Sequence, residues 1–513
     1  MLATVLSSAV FGVDGFLVSV ETDVAPGLPA FNIVGLPDTA VKESQHRVQA
    51  AIKNSGLFFP NRRITVNLAP ADIKKEGPSF DLPIALGILA AAGTISPAAL
   101  DGYVILGELS LNGTLRPVRG TVAMALAARA AKVKGLLVPE GNALEAALVP
   151  DLPVYPLNSL AQTVNFLKGV DTLTPVKTDA EKLFARAAIS DVDFAEVYGH
   201  AHAKRALEIA AAGGHNVLML GPPGSGKTML ARRLPTILPP LTLEEALEAT
   251  KVHSVAGTLP EGIPIVANRP FRSPHHNISE SGLIGGGAVP RPGEVSLAHN
   301  GVLFLDELPE FHRDALEALR QPLEDGEVTI GRARSTITFP ARFMLVCALN
   351  PCPCGFLGDP RHTCTCTPLK IRRYRSRISG PLLDRIDIHI EVPALKYTEI
   401  ASRRPAEDSA TIRQRVTQAR AIQRQRFNAL YLRRKIYANA QMTPSLIKRF
   451  CPITPQGEEI LRAAIDRLGL STRAYHRILK VARTIADLEN SETIQPSHLT
   501  EAVQYRSFDR NVF

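Results

Sequence analysis

Apolar residues follow different patterns along the chain and divide it into regions. From residue 1 to about 170, strand-like apolar runs alternate with Ala-rich helical runs, which is typical of an α/β domain. Residues 171–192 are polar and lack periodicity, which indicates a linker or a connecting helix. Short apolar runs that end in loops mark 193–394, and helical periodicity continues over 395–513. The pattern therefore predicts an α/β chain of three domains.

Individual elements follow from the same periodicities. In the first region the predicted strands are 16–22, 63–68 and 103–106, and the predicted helices are 40–53 and 122–131. In the last region the predicted helices are 411–427, 443–450, 456–468, 472–488 and 496–504. Pro444 and Pro496 support two of these starts, because proline is favoured in the first turn of a helix.

A glycine-rich segment follows the apolar run at 215–220 and matches the phosphate-binding loop of nucleoside triphosphatases. Its glycines let backbone N–H groups turn towards phosphate oxygens, and the next helix directs its positive dipole end at the anion. The lysine would neutralise the β- and γ-phosphates of ATP, and the threonine would offer a hydroxyl to Mg²⁺. The predicted cofactor-binding residues are Gly221, Pro222, Pro223, Gly224, Ser225, Gly226, Lys227 and Thr228.

Two later apolar runs end in residues that would complete this site. Residues 302–305 lead into Asp306, a candidate Mg²⁺ ligand, and Glu307, a candidate general base for the attacking water. Residues 343–349 lead into Asn350, whose amide would orient the same water from the other side. Solvated acids at a strand end and an asparagine in a turn are the alternatives.

Two arginines are further candidates for the hydrolysis site. Arg385 lies in a Gly-Pro-Leu-Leu-Asp-Arg-Ile-Asp segment, from which ring ATPases extend an arginine finger to the neighbouring subunit's ATP. Arg473 begins a helix and would fold back onto phosphate as a second sensor. The alternative for Arg385 is a surface ion pair with Asp384 or Asp387. The alternative for Arg473 is an ordinary solvated helix face.

Composition limits the class of protein. The chain is 45% hydrophobic and 21% charged, which is ordinary for globular proteins. Its 513 residues are too many for a single hydrophobic core. The net charge of +9 favours acidic partners. The longest apolar run, 82–93, is too short to span a membrane, and the first residues lack the basic segment of a secretory signal. Six cysteines in a long chain with a predicted nucleotide site indicate a reducing compartment, so we expect a cytoplasmic protein with no membrane partner.

Four of the six cysteines lie in one segment, 350–368, which we call the cysteine loop. Four thiolates at this spacing would form a closed tetrahedral zinc site, which is structural because no position is left open. The C-x-C spacing departs from the commoner C-x₂-C, and His362 could replace one ligand. A redox pair and free thiols are the alternatives. The candidate ligands are Cys352, Cys354, Cys364 and Cys366.

Basic residues flank the cysteine loop and are candidates for nucleic-acid contact. Residues 328–339 alternate like a β-hairpin with Arg332 and Arg334 at its tip. Residues 411–435 carry eight basic residues and no acid, and these are distributed around the helix, which would suit a bridge between two partners. A solvated basic surface is the alternative. The residues after the loop, which would contact phosphates and stack on a base, are Lys370, Arg372, Arg373, Tyr374 and Arg375.

These motifs, in this order, resemble those of AAA+ ATPases of the magnesium-chelatase branch, which carry inserts at helix 2 and before sensor 1. Here 229–301 is longer than a minimal core needs, and 328–339 is similar to the second insert. Over nearly its whole length the chain resembles the ComM/YifB family of magnesium-chelatase-like AAA+ proteins. The resemblance implies a hexameric DNA helicase that promotes branch migration during natural transformation. It implies single-stranded and branched DNA, further copies of the chain and a recombinase as partners.

The N-terminal region resembles the peptidase domain of Lon proteases. Residues 76–84 are similar to the segment that carries the catalytic serine, and 107–122 to the segment that carries the lysine. A serine nucleophile needs a base, yet Val122 occupies the lysine position and Arg119 stays protonated. We therefore predict a Lon-like fold without peptidase activity, in which Ser79 is structural.

Taken together, the sequence predicts a Lon-protease-like α/β domain (1–170), an AAA+ P-loop α/β core with two inserts (193–394) and a C-terminal helical lid (395–513). Its leading function is an ATP-driven DNA motor. A motor subunit of the magnesium-chelatase type, acting on a protein partner, uses the same ATPase core and stays open. An ATP-dependent protease remains an alternative only if Val122 does not occupy the position of the Lon lysine.

Overall fold

The structure is a computed structural model that describes residues 1–176, 178, 192–260, 263–287, 290–332, 335–359, 361–395, 407–430 and 436–506. The chain forms two units. The first comprises Met1–Ala188, Leu243–Ala267 and Gly331–Phe339, and the second comprises Ile189–Thr242, Asn268–Ile330 and Pro340–Phe513. The linker predicted at 171–192 lies mostly outside the described residues, so the predicted domain boundaries stay predictions.

A mixed seven-stranded sheet forms the centre of the first unit. Its strands, in spatial order, are β3 (Ala30–Val34), β4 (Arg63–Ala69), β2 (Asp14–Ala25), β1 (Leu2–Phe11), β5 (Tyr103–Ile105), β8 (Gly135–Pro139) and β9 (Val154–Leu157). Strands β1 and β2 pair as a long antiparallel hairpin, whereas β5, β8 and β9 run parallel. A short antiparallel ribbon joins β6 (Glu108–Leu109) to β7 (Leu115–Arg116). The strands and helices predicted for this region are confirmed to within a few residues.

Five helices of the first unit precede residue 170: α1 (Thr39–Asn54), α2 (Asp81–Ala91), α3 (Thr121–Ala130), α4 (Glu140–Ala146) and α5 (Leu160–Leu167). Every residue of α2 is buried, which explains its continuous apolar run. The buried carboxylate of Asp81 is held by Arg47, whose Nε donates to it at 2.7 Å. Among the described residues, no helix is both long enough and apolar enough to cross a membrane.

Two later chain segments complete the first unit. Helix α8 (Leu243–Ala256) packs on α3. The Ser254 hydroxyl donates to the carboxylate of Glu145, and the backbone N–H of Gly120 donates to the Ser254 carbonyl at 3.2 Å. Burial raises the pKa of Glu145, although the Ser254 hydroxyl opposes that shift. The segment therefore belongs to the core of the first unit and is not a loose insertion.

The second segment comes from the predicted hairpin. Its strands are β15 (Glu327–Arg332) and β16 (Ser335–Pro340), which form a two-stranded sheet. Ile337 packs closely on Gly12, where an added Cβ would lie 2.7 Å from the isoleucine Cγ2 atom. The hairpin is confirmed, but its strand β16 is packed inside the first unit.

A five-stranded parallel sheet forms the centre of the second unit. Its strands, in spatial order, are β11 (Phe271–Arg272), β14 (Val302–Leu305), β17 (Met344–Leu349), β10 (Val217–Leu220) and β18 (Ile388–Glu391). The residues of β10, β14 and β17 are buried throughout, as expected for central strands covered on both faces. Because parallel strands end at the same edge, the segments that follow these three strands meet there. A further two-stranded ribbon joins β12 (Gly285–Gly286) to β13 (Arg291–Pro292).

Helices surround this sheet and form the C-terminal part of the second unit. Those up to residue 383 are α6 (Ala201–Gly213), α7 (Lys227–Ile237), α9 (Glu280–Ile284), α10 (Glu294–Leu297), α11 (Arg313–Ala318), α12 (Arg320–Asp325), α13 (Pro368–Arg375) and α14 (Gly380–Leu383). The C-terminal ones are α15 (Ser409–Asn428), α16 (Pro444–Phe450), α17 (Pro455–Leu468), α18 (Thr472–Leu488) and α19 (Pro496–Gln504). The bounds of α18 and α19 coincide with the predicted ones. The mixed α/β fold with a C-terminal helical region is thus confirmed.

Candidate nucleotide-binding site and metal centre

The glycine-rich segment forms a loop between β10 and α7. Gly224 and Gly226 have φ angles of +73° and +90°, which favour glycine and explain two of the three glycines. The third, Gly221, is explained by close packing, because an added Cβ would lie 2.2 Å from the carbonyl oxygen of Val392. The loop therefore has the conformation that its sequence predicts.

Lys227 points back into this loop from the first turn of α7. Its ammonium donates to the carbonyl oxygens of Gly221 at 2.7 Å and Pro222 at 2.9 Å, and to Oδ1 of Asn350 at 3.2 Å. Burial lowers its pKa, and Asp306 and Glu307 oppose that shift. The ammonium is thus buried and fixed beside the loop.

The acidic pair follows strand β14. The Thr228 hydroxyl donates to Oδ2 of Asp306 at 2.7 Å, so the two predicted Mg²⁺ ligands lie side by side. Glu307 has a φ of +54°, an unusual conformation for a non-glycine residue, and its side chain is 53% exposed. Its Oε2 lies 3.6 Å from Nδ1 of His276, a neighbour that the sequence analysis did not single out.

These groups fit a nucleotide with its metal. A hydroxyl beside a carboxylate is a donor set that suits Mg²⁺, and a buried ammonium beside backbone N–H groups suits a polyphosphate. The Ser225 hydroxyl is buried and has no hydrogen-bond partner among the described residues, so it is available to a bound phosphate. Bound ATP would supply the phosphoryl group and Mg²⁺ would neutralise its charge. Lys227 would bind the phosphates, and exposed Glu307 has access to water.

The two candidate arginines differ in their surroundings. Arg385 is buried, pairs with Glu324, and donates from Nη1 to the carbonyl oxygen of Pro381 at 2.6 Å. It does not pair with Asp384 or Asp387, as the alternative required. Arg473 is exposed at the start of α18, so the fold leaves its side chain available. The roles of both arginines stay predictions.

A buried polar network next to strand β10 was missed by the sequence analysis. Asn216 accepts from the backbone N–H of Leu345 at 2.8 Å through Oδ1 and donates to the Arg385 carbonyl at 2.9 Å through Nδ2. Its own N–H donates to Asp387 at 3.0 Å. One side chain thus fixes the strand before the phosphate loop relative to β17 and to the Arg385 segment. A lone asparagine before a strand gives no sequence signal of this role.

Asp387 and His215 occupy the centre of that network. Arg477 pairs with Asp387, and Nδ1 of His215 lies 3.5 Å from the same carboxylate. Burial acts to raise the pKa of Asp387, but Arg477 and His215 together hold it below its ordinary value. Burial lowers the pKa of His215, whose Nε2 lies 2.8 Å from the hydroxyl of Thr484 on α18.

The four clustered cysteines come together as predicted. Their sulfur atoms all lie within 4.8 Å of one another, and Sγ of Cys352 lies 3.3 Å from Sγ of Cys354. Backbone hydrogen bonds from Phe356 and Thr365 lower the pKa of Cys354 to about 5, whereas burial and the neighbouring sulfurs raise the pKa of Cys364 to about 11. Four convergent sulfurs fit a tetrahedral metal such as zinc. His362 pairs with Asp359 instead, at 3.2 Å.

The basic residues after the loop divide into two groups. Lys370, Arg372 and Arg373 are exposed on α13. Arg375 instead donates to the carbonyl oxygen of Pro351 at 3.0 Å. Tyr374 is buried, and burial raises its pKa to about 12, so the predicted base stacking by its ring is wrong.

Other predicted nucleic-acid contacts fall only partly within the described residues. Arg334 lies outside the described residues, as does the tip of the hairpin, and only the strand position of Arg332 is described. In α15, Arg420 donates to the Ala212 carbonyl at 2.6 Å, and Arg426 donates to Asp487 at 3.0 Å. These two arginines bind groups of their own unit, whereas Arg433, Arg434 and Lys435 lie outside the described residues, so the bridge between two partners stays a prediction.

The residues compared with the Lon dyad lie in the first unit. Ser79 is buried in a single 3₁₀ turn, Pro78–Phe80, and its carbonyl accepts from the backbone N–H of Gly107 at 3.0 Å. Val122 is fully buried in the first turn of α3. These positions suit packing, in agreement with a structural Ser79.

Family models match three parts of the chain. The model described as "Subunit ChlI of Mg-chelatase" matches residues 20–142, and "Magnesium chelatase, subunit ChlI" matches residues 193–400. The model for the C-terminal part of the same subunit matches residues 406–506.

Full-length relatives extend this similarity. The chain is 47% identical to competence protein ComM of Haemophilus influenzae and 45% identical to a protein named YifB of Escherichia coli. Each match covers 99% of this chain and 98% of the relative. Lon protease 1 of Syntrophobacter fumaroxidans is 31% identical over 156 residues, which are 29% of this chain and 19% of that protein. The predicted similarity to Lon proteases is thereby confirmed.

Proposed function

Because the chain belongs to the ComM/YifB family of magnesium-chelatase-like AAA+ ATPases, we propose that it is an ATP-driven, ring-forming DNA translocase. Its task would be branch migration during homologous recombination of incoming DNA. One full-length relative is named a competence protein, and competence is the uptake of DNA by cells. We propose a cytoplasmic location, because the cytoplasm supplies ATP and keeps cysteine thiols reduced.

One chain segment carries this proposal. It leads from Asn350, which contacts Lys227 of the phosphate loop, through the cysteine loop to the exposed cations of α13. Helix α13 contains no acidic residue that could pair with Lys370, Arg372 or Arg373. Adjacent exposed cations suit the phosphates of a nucleic acid, because each contact releases a condensed counterion. A change at Asn350 on ATP hydrolysis would therefore be passed to a DNA-contacting surface.

We also propose that the active form is a ring, a hexamer by analogy with other AAA+ motors. The support is Arg385, which would act on the ATP of the adjacent subunit once released from Glu324. A recombinase would supply the paired DNA on which such a ring acts, so it is a proposed partner. Zinc is the proposed occupant of the cysteine site, and ATP with Mg²⁺ are the proposed ligands of the phosphate loop.

The test is ATP turnover with and without DNA. We expect forked or single-stranded DNA to stimulate turnover, and ATP to drive migration of a four-way junction. The proposal fails if DNA leaves turnover unchanged and no complex forms at low salt. Stimulation without junction migration would instead restrict the function to translocation.

The exposed cations provide the matched variants. Replacing Lys370, Arg372 and Arg373 together by alanine should reduce the slope of log affinity against log salt by about 2 for single-stranded DNA, since each contact contributes about 0.7. Arg462→Ala is the control, because Arg462 is exposed on α17 and has no place in the proposed surface. Equal slopes for the triple variant and the wild type would exclude α13 as the contact.

A motor subunit of the magnesium-chelatase type is the second candidate. It is favoured by the three family models, which are all described for that subunit. Such a subunit would remodel a protein partner, and its ATP turnover would not respond to DNA. Co-purification with a chelatase catalytic subunit, together with DNA-independent turnover, would favour this candidate over the translocase.

A further inference from the structure

We propose that the cysteine loop is a metal-dependent brace for the phosphate loop, with zinc on the four cysteines holding Gly355 against Pro223. The proposal rests on the zinc assignment made above and adds a role for the metal. That role concerns nucleotide binding and not DNA.

Gly355 packs against Pro223 with no room for a side chain between them. An added Cβ on Gly355 would lie 2.5 Å from Cδ and 2.6 Å from Cγ of the Pro223 ring. The backbone of Gly355 therefore lies directly on a proline of the glycine-rich loop. Proline has a fixed φ, so a rigid surface packed on its ring limits how far this part of the loop can move.

The turn that contains Gly355 is formed by the proposed metal ligands. Gly355 follows Cys354 directly, and its N–H donates to the Cys352 carbonyl at 2.9 Å, which closes a tight turn. The N–H of Cys354 points at Sγ of Cys366, 3.4 Å away. The turn that touches Pro223 is therefore built from two of the four ligands and is tied to a third.

The same ligands are connected to Lys227. Asn350 precedes Cys352 by two residues, and its Oδ1 accepts from the lysine ammonium at 3.2 Å. At the other end of the loop, Cys366 precedes Thr367, which caps α13 with its side chain. A metal on the four sulfurs thus fixes two contacts with the phosphate loop, one at Pro223 and one at Lys227.

Charge explains why the metal is needed. Sulfurs 3.3 to 3.7 Å apart repel one another as thiolates, and thiols form only weak hydrogen bonds. A divalent cation removes the repulsion and replaces weak contacts by four metal–sulfur bonds. Without it, the turn at Gly355 has no strong link to Cys364 or Cys366. The phosphate loop would then lose its support on this side.

Two glycines of the same loop give a matched pair of variants. Gly355 and Gly358 have nearly equal φ angles of +85° and +82°, so alanine costs a similar backbone strain at each. Only the Cβ at 355 meets Pro223, whereas at 358 it would meet nothing within 4 Å. The measurements are zinc per chain by mass spectrometry and the Kd of a fluorescent, non-hydrolysable ATP analogue with Mg²⁺.

We expect about one zinc per chain in the wild type and in both variants. Gly355→Ala should raise the Kd of the analogue about tenfold, and Gly358→Ala should change it less than about threefold. Equal Kd values for the two variants would overturn the brace. A wild type without zinc would overturn the metal assignment.

Reversible metal removal tests the same idea without a substitution. A zinc chelator, followed by restored Mg²⁺, should weaken analogue binding to a similar extent, and added zinc should recover it. Unchanged affinity after complete zinc loss would also overturn the brace. No DNA is present in these experiments, so their failure leaves the translocase proposal intact, and absent DNA stimulation leaves the brace intact.

Discussion

Lys227 and Asn350, 123 positions apart in the chain, meet through the lysine ammonium and the asparagine Oδ1 at 3.2 Å. Each follows a neighbouring strand of one parallel sheet, so the sheet brings them together. The ammonium has three oxygen acceptors in all, two of them carbonyls of its own loop. It is therefore positioned before any phosphate has to be bound.

Removing this ammonium should mainly reduce nucleotide affinity. Lys227→Ala deletes charge-assisted hydrogen bonds, each of which is worth about 1.5 to 3 kcal/mol, so we expect ATP affinity to fall at least about tenfold. Titration with a fluorescent nucleotide measures this. Arg232→Ala on the same helix is the control. A wild-type Kd for Lys227→Ala would remove the lysine from the phosphate site.

Glu307→Gln should separate binding from hydrolysis. The amide retains the size of the side chain but cannot accept the proton of the attacking water, so turnover should fall about 10²- to 10⁴-fold while ATP still binds. Steady-state phosphate release and the same fluorescence titration measure both quantities. Normal turnover in this variant would mean that the general base is another residue.

Arg385 allows a test of the ring. Arg385→Ala and Lys227→Ala should each be inactive, the first because a finger arginine contributes about 10³-fold or more to hydrolysis. If Arg385 acts on the adjacent subunit, mixing the two variants should recover part of the turnover, since some sites then combine an intact phosphate loop with an intact arginine.

The ion pair between buried Arg385 and exposed Glu324 provides the control variant for this experiment. Glu324→Ala releases Arg385 without removing it and should retain turnover. No recovery in mixtures that demonstrably form mixed oligomers would place Arg385 in a structural role within its own chain.

The His215–Asp387 pair predicts how stability depends on pH. Burial lowers the pKa of His215 below 6.5, its ordinary value, so the unfolded state takes up a proton at a higher pH than the folded state does. Stability should therefore fall as the pH drops below about 6.5, by up to about 1.4 kcal/mol per pH unit from this group. Asp387, whose pKa is also lowered, adds a further loss only near and below its ordinary value of 3.8.

Thermal unfolding at pH 7.5 and pH 5.5 measures this dependence. His215→Gln should reduce the difference in Tm between the two conditions, whatever its effect on absolute stability. His46→Gln, on the exposed side of α1, is the control and should retain the wild-type difference. If both variants retain it, the acid sensitivity arises elsewhere.

The first unit should lack peptidase activity. With fully buried Val122 at the position compared with the Lon lysine, Ser79 has no base there to activate it. Casein incubated with the protein, ATP and Mg²⁺ should remain intact, and an active Lon protease serves as the positive control. Degradation that Ser79→Ala abolishes would show that another base serves this serine.

Much of the fold could be predicted because its signals are local. Helix α18 was predicted at 472–488 and is observed as Thr472–Leu488, with the Ser471 hydroxyl accepting from the Ala474 N–H at 3.2 Å. A strong apolar stripe and a capping serine define both its face and its start. The central strands were equally clear, because strands covered on both faces are continuously apolar.

The parts that were missed depend on contacts between distant segments. Arg385 pairs with Glu324, 61 positions earlier, and Asn216 accepts from the N–H of Leu345, 129 positions later. Tyr374 lies in a basic segment whose sequence predicts solvent exposure, yet its ring is buried. Periodicity and spacing do not predict which polar side chains pair in the folded protein, because tertiary packing determines these pairs.

The division of the chain into interleaved units has a consequence for biosynthesis. The first unit needs Gly331–Phe339, whose Ile337 packs on Gly12, so it lacks a component when Ala188 has just been made. At about 5 to 20 residues per second, roughly 8 to 30 seconds of further translation separate Ala188 from Phe339. During that interval the ribosome-bound N-terminal region would expose apolar surface. Nascent chains halted near residue 190 should therefore bind chaperones more strongly than chains halted beyond residue 380.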